Sequence, residues 1–307
     1  MSVPWPDGKR FAFSIFDDPD AQSLADGRAV YSFLADLGFR TTRGVWPLGP
    51  IREVNSPGET CASAPYLTHN LELQKLGFEI GYHNATPHSS VREETKQALD
   101  LFKGYFGHDP RSMANHYNRD AIYWGPARLT GLARTLYSAS TLNKNNSRFR
   151  GEIAGDPEFW GDLCQERIEY CRNLVFADIN TLDVCPWMPY HDPLRPFVRN
   201  WYSASDGNNI KTFAGMLSPA NQDRLEQEGG ACIMYTHFGH GFVEDQKLDS
   251  RFSELMTRLS RKNGWFVPVS TLLDHLARQR GPVQIGARER NRLQNRWLWQ
   301  KLFRGTS

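Results

Sequence analysis

FAFSIFDDPD, running from Phe11 to Asp20, closes the first apolar run of the chain. Six residues of mostly large apolar character, bounded by turn formers, read as a buried strand. It ends in the adjacent carboxylates Asp17 and Asp18. Asp and Pro both favour turns, so a solvated turn is one reading. The other is a site, because neighbouring carboxylates leave water only where a cation or hydrogen-bond donors offset their repulsion. The choice between them depends on what the other strands carry at the same end.

The chain has 307 residues, 40% hydrophobic and 23% charged, which suits a globular protein with a substantial core. No stretch approaches the roughly 20 apolar residues of a membrane span. The opening MSVPWPDGKRFAF contains no apolar signal core, so the expected location is cytoplasmic. A net charge of +2 gives no reason to expect a nucleic-acid partner. Cys61, Cys164, Cys171, Cys185 and Cys232 are scattered without a CxxC pair, and read as reduced thiols.

Strand-like runs alternate with helical periodicity. After FAFSIF, Val30, Phe33, Leu34 and Leu37 share a helical face. TTRGVWPL and FEIGYHN read as the second and third strands, with a helix near 65–76 between them. Ser90-Val91-Arg92-Glu93 has the form of a capping box, and Val91, Thr95, Ala98, Leu99, Phe102 and Phe106 continue the helix behind it. SMANHY, RTLYSAST, NLVFADIN, ACIMYTH and WFVPVS are further strand candidates, with helices near 251–261 and 271–278. This alternation predicts parallel βα units in one α/β domain. The stretch from about Asn143 to Arg199 reads as a long irregular segment over one end.

In parallel α/β folds, chemistry collects at the carboxyl ends of strands. Asp17 and Asp18 follow the first strand, His83 and then His88 follow FEIGY, Asn115 and His116 follow RSMA, and His237 with His240 follow ACIMYT. A carboxylate and two imidazoles form a donor set suited to Zn²⁺ or another first-row divalent ion. In that arrangement Asp18 ligates the ion and Asp17 stays free as a base.

These motifs resemble the NodB-type polysaccharide deacetylases of carbohydrate esterase family 4. That family carries an Asp-Asp pair after its first strand, matched by Phe16-Asp17-Asp18, and two histidines after a Glu-Ile-Gly strand, matched by EIGYHNATPH from Glu79 to His88. IMYTHFGHGF, Ile233 to Phe242, is similar to its late histidine motif, and GWFVPVSTLLDHL to its closing strand and helix. The resemblance implies a distorted (β/α) barrel of about seven parallel strands over 1–285. It implies a metal-dependent hydrolase removing N-acetyl groups from a sugar in a polysaccharide or glycan precursor. Asp17 would be the base, His237 the acid, and Asp18, His83 and His88 the ligands of a divalent ion, zinc being the expected one. The substrate partner is accordingly a carbohydrate.

The matching stretches depart from the family at four places. The histidines are five apart where four is usual, and Pro19 stands for the usual Gly. Ala114 occupies the position of an Arg that orients the base, with Arg119 and His116 as candidates to replace it. The Asp and Trp that tune the late histidine could be Asp206 with Trp201, or Asp183 with Trp187. Asn115 is a further candidate beside them, and Trp160, Trp187 and Trp201 are candidates to stack on sugar faces. Two alternatives stay open at this level: hydrolysis of a non-sugar amide or ester, and a barrel without catalysis in polysaccharide assembly.

The last segment, 286–307, carries five Arg and one Lys against one Glu, with Leu293, Trp297 and Lys301 in helical register. One reading is a basic amphipathic helix at the inner membrane face or on a partner. The other is a terminal helix folded back on the barrel.

Overall fold

The computed structural model of the chain describes residues 3–305. Met1 and Ser2, and Thr306 and Ser307 at the end of the basic tail, lie outside the described residues.

Seven parallel strands close into a barrel in chain order: β1 (Phe11–Asp17), β2 (Thr42–Val45), β3 (Glu79–Tyr82), β4 (Ser112–Met113), β5 (Tyr170–Phe176), β6 (Asn200–Asp206) and β7 (Ala231–Thr236). β7 returns to β1 along Ala12–Asp17, which completes the ring. β2 meets β1 only at Phe16 and Asp17, and the lower half of that edge is taken by β10 (Gly264–Phe266). A short hairpin, β8 (Val243–Glu244) and β9 (Lys247–Leu248), stands outside the barrel. Every residue of β1, β5 and β7 is buried, as expected where helices cover a parallel sheet.

The covering helices are α1 (Leu24–Asp36), α2 (Ala64–Lys75), α3 (Arg92–Phe106), α4 (Gly131–Ser140), α5 (Gly161–Arg167), α6 (Thr181–Val184), α7 (Ile210–Met216), α8 (Pro219–Glu228), α9 (Ser250–Ser260), α10 (Val269–Arg280) and α11 (Ala287–Arg304). Local chemistry fixes their ends. Ser23 caps α1 by accepting from Asp26 N, Asp249 caps α9 by accepting from Phe252 N, and α3 stops at Gly107 in the left-handed region. At the start of α3 the carboxylate that accepts from Val91 N is Glu94, one residue beyond the expected Glu93.

Two expectations are corrected. RTLYSAST is not a strand but lies in α4, where Ala133 and Tyr137 turn one face inward at helical spacing. WYSASD, which the sequence reading passed over, is most of β6; its small and polar residues hide the strand from an apolar-run criterion. The stretch 143–199 is accordingly not loop throughout: it holds α5, β5 and α6.

α11 folds back on the barrel wall. Leu293, Trp297 and Leu298 are buried, Gln294 accepts from Thr130 N and Oγ1, and Gln300 Oε1 accepts from Ala177 N. No helix among the described residues is long and apolar enough to cross a membrane.

Candidate metal centre at the barrel mouth

Successive residues on a strand face opposite ways. That alternation separates the two carboxylates at the end of β1. Asp17 points out into the helix layer, where Tyr31 Oη donates to Oδ2 at 3.0 Å, Gln22 Nε2 donates to the same oxygen at 3.1 Å, and Phe238 N donates to Oδ1 at 2.8 Å. Burial pushes its carboxyl up to about 6, against the opposing pull of Arg43 and these donors. It does not line the mouth cavity. Asp17, the expected base, is thus buried outside that cavity. It serves instead as the anchor of two loops, one carrying Gln22 and the other Phe238.

Asp18 points inward. Arg172 of β5 holds it with two hydrogen bonds, Nη1 to Oδ1 at 2.9 Å and Nη2 to Oδ2 at 2.5 Å. Burial alone works against the Arg172 charge, but the Asp18 carboxylate outweighs it and raises the guanidinium above its ordinary value. The ring of Tyr235 lies 4.2 Å from the same guanidinium.

The carboxylate that meets the histidines is Asp20, two residues on. One oxygen lies 3.3 Å from His83 Nε2 and the other 3.3 Å from His116 Nδ1. One ligand atom from each of Asp20, His83 and His116 can be chosen so that all lie within 4.8 Å of one another, and all three residues are buried. Burial alone would raise the Asp20 carboxyl; the adjacent His83, and then His116 and His237, hold it well below the usual carboxylate range. Burial pushes His116 down to about 4, so its ring is uncharged at neutral pH and free to offer a lone pair. Asp20 Oδ2, both ring nitrogens of His83 and His116 Nε2 are buried without a hydrogen-bond partner. Orphaned oxygen and imidazole donors gathered at this spacing fit a first-row divalent ion.

Asn84 sets the last of these ligands. It adopts a φ of 61° immediately after His83, a conformation Asn tolerates better than most residues. Its Oδ1 accepts from His116 N at 2.8 Å and its Nδ2 donates to Asp120 Oδ2 at 2.7 Å, tying the ends of β3 and β4 together. His237 completes the mouth from β7. Its Nδ1 lies 2.9 Å from the Asn208 carbonyl, an acceptor only, so Nδ1 carries the proton. Nε2 then faces Asp20 at 3.7 Å and Asp18 at 3.9 Å.

The other expected site residues are dispersed. His88 does not join the cluster: its Nδ1 contacts Thr86 Oγ1 and the Ser89 carbonyl, each at 2.9 Å, and the five-residue spacing puts it in the loop leading to α3. Arg119 is half-exposed and paired with Glu158. Asn115 lines the cavity but spends its amide on Ile122 N and O. Trp160 and Trp201 are core residues. Trp187 lines a different cavity with Arg280 and Arg292. Asp206 ends β6 and accepts from Asn208 N, and Asp183 is paired with Arg296 at 3.8 Å. The aromatic walls of the mouth are Tyr117, Trp124 and Tyr235 around a volume of about 260 Å³.

Asp20 and Arg172 are the residues the sequence reading missed. Arg172 had a signal: a lone Arg inside the buried run YCRNLVF requires a partner.

No profile of a known protein family matches the sequence, and no curated protein matches it. Solved structures do. A Mycobacterium smegmatis protein provisionally assigned as a polysaccharide deacetylase matches 93% of this chain and 97% of its own, with 13% identity and a TM-score of 0.53. A peptidoglycan deacetylase of Bacillus subtilis matches over 90% of this chain and 100% of its own, with 14% identity and a TM-score of 0.42. The first likeness establishes a shared distorted (β/α) barrel, the architecture that the sequence motifs implied.

Proposed function

We propose that this chain is a metal-dependent hydrolase that removes the N-acetyl group from a carbohydrate. The observation that carries the reading is the convergence of buried, unsatisfied donors of Asp20, His83 and His116 at the mouth of a deacetylase-like barrel. These three residues would hold a divalent ion, zinc being the expected one, in place of the set Asp18, His83 and His88. When bound, such an ion polarises the amide carbonyl and offsets negative charge developing on its oxygen.

The remaining chemistry falls to this chain's own groups. Asp18 is the base: Arg172 occupies one lone pair on each carboxylate oxygen and fixes its plane, and the others stay available for the proton of an attacking water. Arg172 thereby does what Ala114 cannot. As the carbon–oxygen bond forms and the carbon–nitrogen bond breaks, the proton that Asp18 takes from water passes to His237 Nε2, which faces it at 3.9 Å, and from there to the departing amine, with Nδ1 steadied by Asn208. Acetate and an amino sugar result. Tyr117, Trp124 and Tyr235 offer ring faces of the kind that pack on sugars.

The test is metal content of the purified protein beside acetate release from N-acetylated oligosaccharides. About one equivalent of a divalent ion is expected in the wild type and in Asp18→Asn, and none in Asp20→Ala or His83→Ala. Asp18→Asn should keep the metal while losing at least about 100-fold in rate, the usual weight of a general base. An ion that survives Asp20→Ala but not His88→Ala would return the ligand set to the sequence motif.

A further inference from the structure

A second cavity of about 400 Å³ adjoins the catalytic mouth, and the two share Tyr117 as a common wall. Its other sides come from the end of α4 and the loop behind it, including Ser140, Thr141, Lys144, Asn145 and Arg148. The loop is built around Tyr117. Arg148 stacks its guanidinium 3.9 Å from the Tyr117 ring centre, Phe149 meets the same ring edge-on at 5.3 Å, and Tyr117 Oη lies 3.2 Å from Asn145 Oδ1.

The charge around this cavity is of one sign. From Gly131 to Gly151 the sequence holds Arg134, Lys144, Arg148 and Arg150 and no Asp or Glu. Arg150 is paired with Asp156. Among the described residues, neither Lys144 nor Arg148 forms an ion pair with a carboxylate. Among the described residues the Arg148 guanidinium makes one hydrogen bond, a long 3.5 Å from Nη2 to the Tyr117 carbonyl. A guanidinium stacked on an aromatic ring, with Nη1 making no hydrogen bond among the described residues and a lysine beside it, matches an oxyanion; the Ser140 and Thr141 hydroxyls already donate to carbonyls of α4.

We propose that this cavity binds an anionic group, phosphoryl or carboxylate, of the same molecule whose sugar enters the mouth. The inference rests on the deacetylase reading only for calling that molecule the substrate. It narrows the substrate class to N-acetylated sugars bearing an acidic group next to the reacting residue: a phosphate or diphosphate at the sugar's end, or a neighbouring uronic acid.

The test is isothermal titration of the full chain with inorganic pyrophosphate and, separately, with glucuronate. Asp20→Asn serves as the background, so that an anion resting on a bound metal is not counted. The expected result is saturable binding of at least one anion, equal in the wild type and in Asp20→Asn, and weakened tenfold or more by Arg148→Gln and by Lys144→Gln. Preference for pyrophosphate assigns a phosphoryl group and preference for glucuronate a carboxylate. No binding of either anion overturns the proposal, as does binding unchanged in both cavity variants or binding lost in Asp20→Asn alone. Lys144 is exposed on the loop, so Lys144→Gln is expected to keep the wild-type melting temperature and decides the case if Arg148→Gln loosens the stack on Tyr117. Failure of the metal and acetate-release tests would leave the titration intact, which separates the two readings.

Discussion

At the scale of single residues, the mouth depends on charges that hold each other in place. Asp18 and Arg172 are both buried, and each is costly without the other. Arg172→Met should destabilise the fold by about 3–5 kcal/mol, because it strands a buried carboxylate. The paired variant Asp18→Leu with Arg172→Met should recover most of that loss in urea denaturation. A double variant no more stable than the single one would show that Arg172 acts through packing on Phe16 and Tyr235, and not through charge. His69 on α2 supplies a pH effect of different origin. Burial, with Arg43 and Arg28 nearby, pushes its folded pKa from 6.5 to about 4. The unfolded chain therefore binds the extra proton between those values, and His69 withdraws stability as pH falls from about 6.5 toward 4. In His69→Gln the decline of stability over that window should be shallower than in the wild type, as read from urea midpoints at pH 7, 6, 5 and 4.5.

At the scale of elements, the Asp20 turn and the loop after β7 are pressed together at Gly239. A Cβ there would stand 2.4 Å from the Ala21 carbonyl carbon and 2.5 Å from Asp20 O and Gln22 N, all backbone atoms. Gly239→Ala must therefore push the turn aside. A tenfold or greater loss of metal affinity is expected, with a smaller fall in melting temperature than for Arg172→Met; unchanged affinity would mean the turn yields without moving Asp20. This contact marks the boundary of what the sequence could reveal. The strand ending at Asp17, and the histidines at the ends of β3, β4 and β7, follow from apolar runs and from where parallel sheets gather polar groups. Which carboxylate faces which way does not. The Asp-Asp pair straddles the pleat, so one residue turns outward to Tyr31 and Gln22 and the other inward to Arg172. Asp20 then enters the cluster only because a tight turn around Pro19 carries it over the mouth. β6 was hidden for a related reason: WYSASD is buried by its neighbours in space, not by its own side chains.

At the scale of the whole molecule, α11 belongs to the wall of the barrel and reaches the site through Trp297. Arg128 is buried between two tryptophans, 3.8 Å from the Trp124 ring centre and 4.9 Å from that of Trp297, and burial pushes its guanidinium down to about 10. Trp124 lines the mouth cavity, so the helix, the arginine and the cavity wall form one stack. Tyr137 of α4 also packs on Trp297, 5.7 Å between ring centres, and its hydroxyl accepts from Asn145 Nδ2, which ties the loop around Tyr117 to the same helix. Trp297→Ala should cost about 3–5 kcal/mol, the range for emptying a large buried aromatic site. Its effect should not stop at stability. With Trp124 less firmly backed, KM for a carbohydrate substrate should rise several-fold while metal content stays at the wild-type value. Deleting 287–307 should have both effects more strongly, as Leu293, Leu298 and Gln300 leave together. If the truncated chain instead melts at the wild-type temperature, α11 is an appendage, and its exposed Trp299, Leu302 and Phe303 would be the part that carries its role.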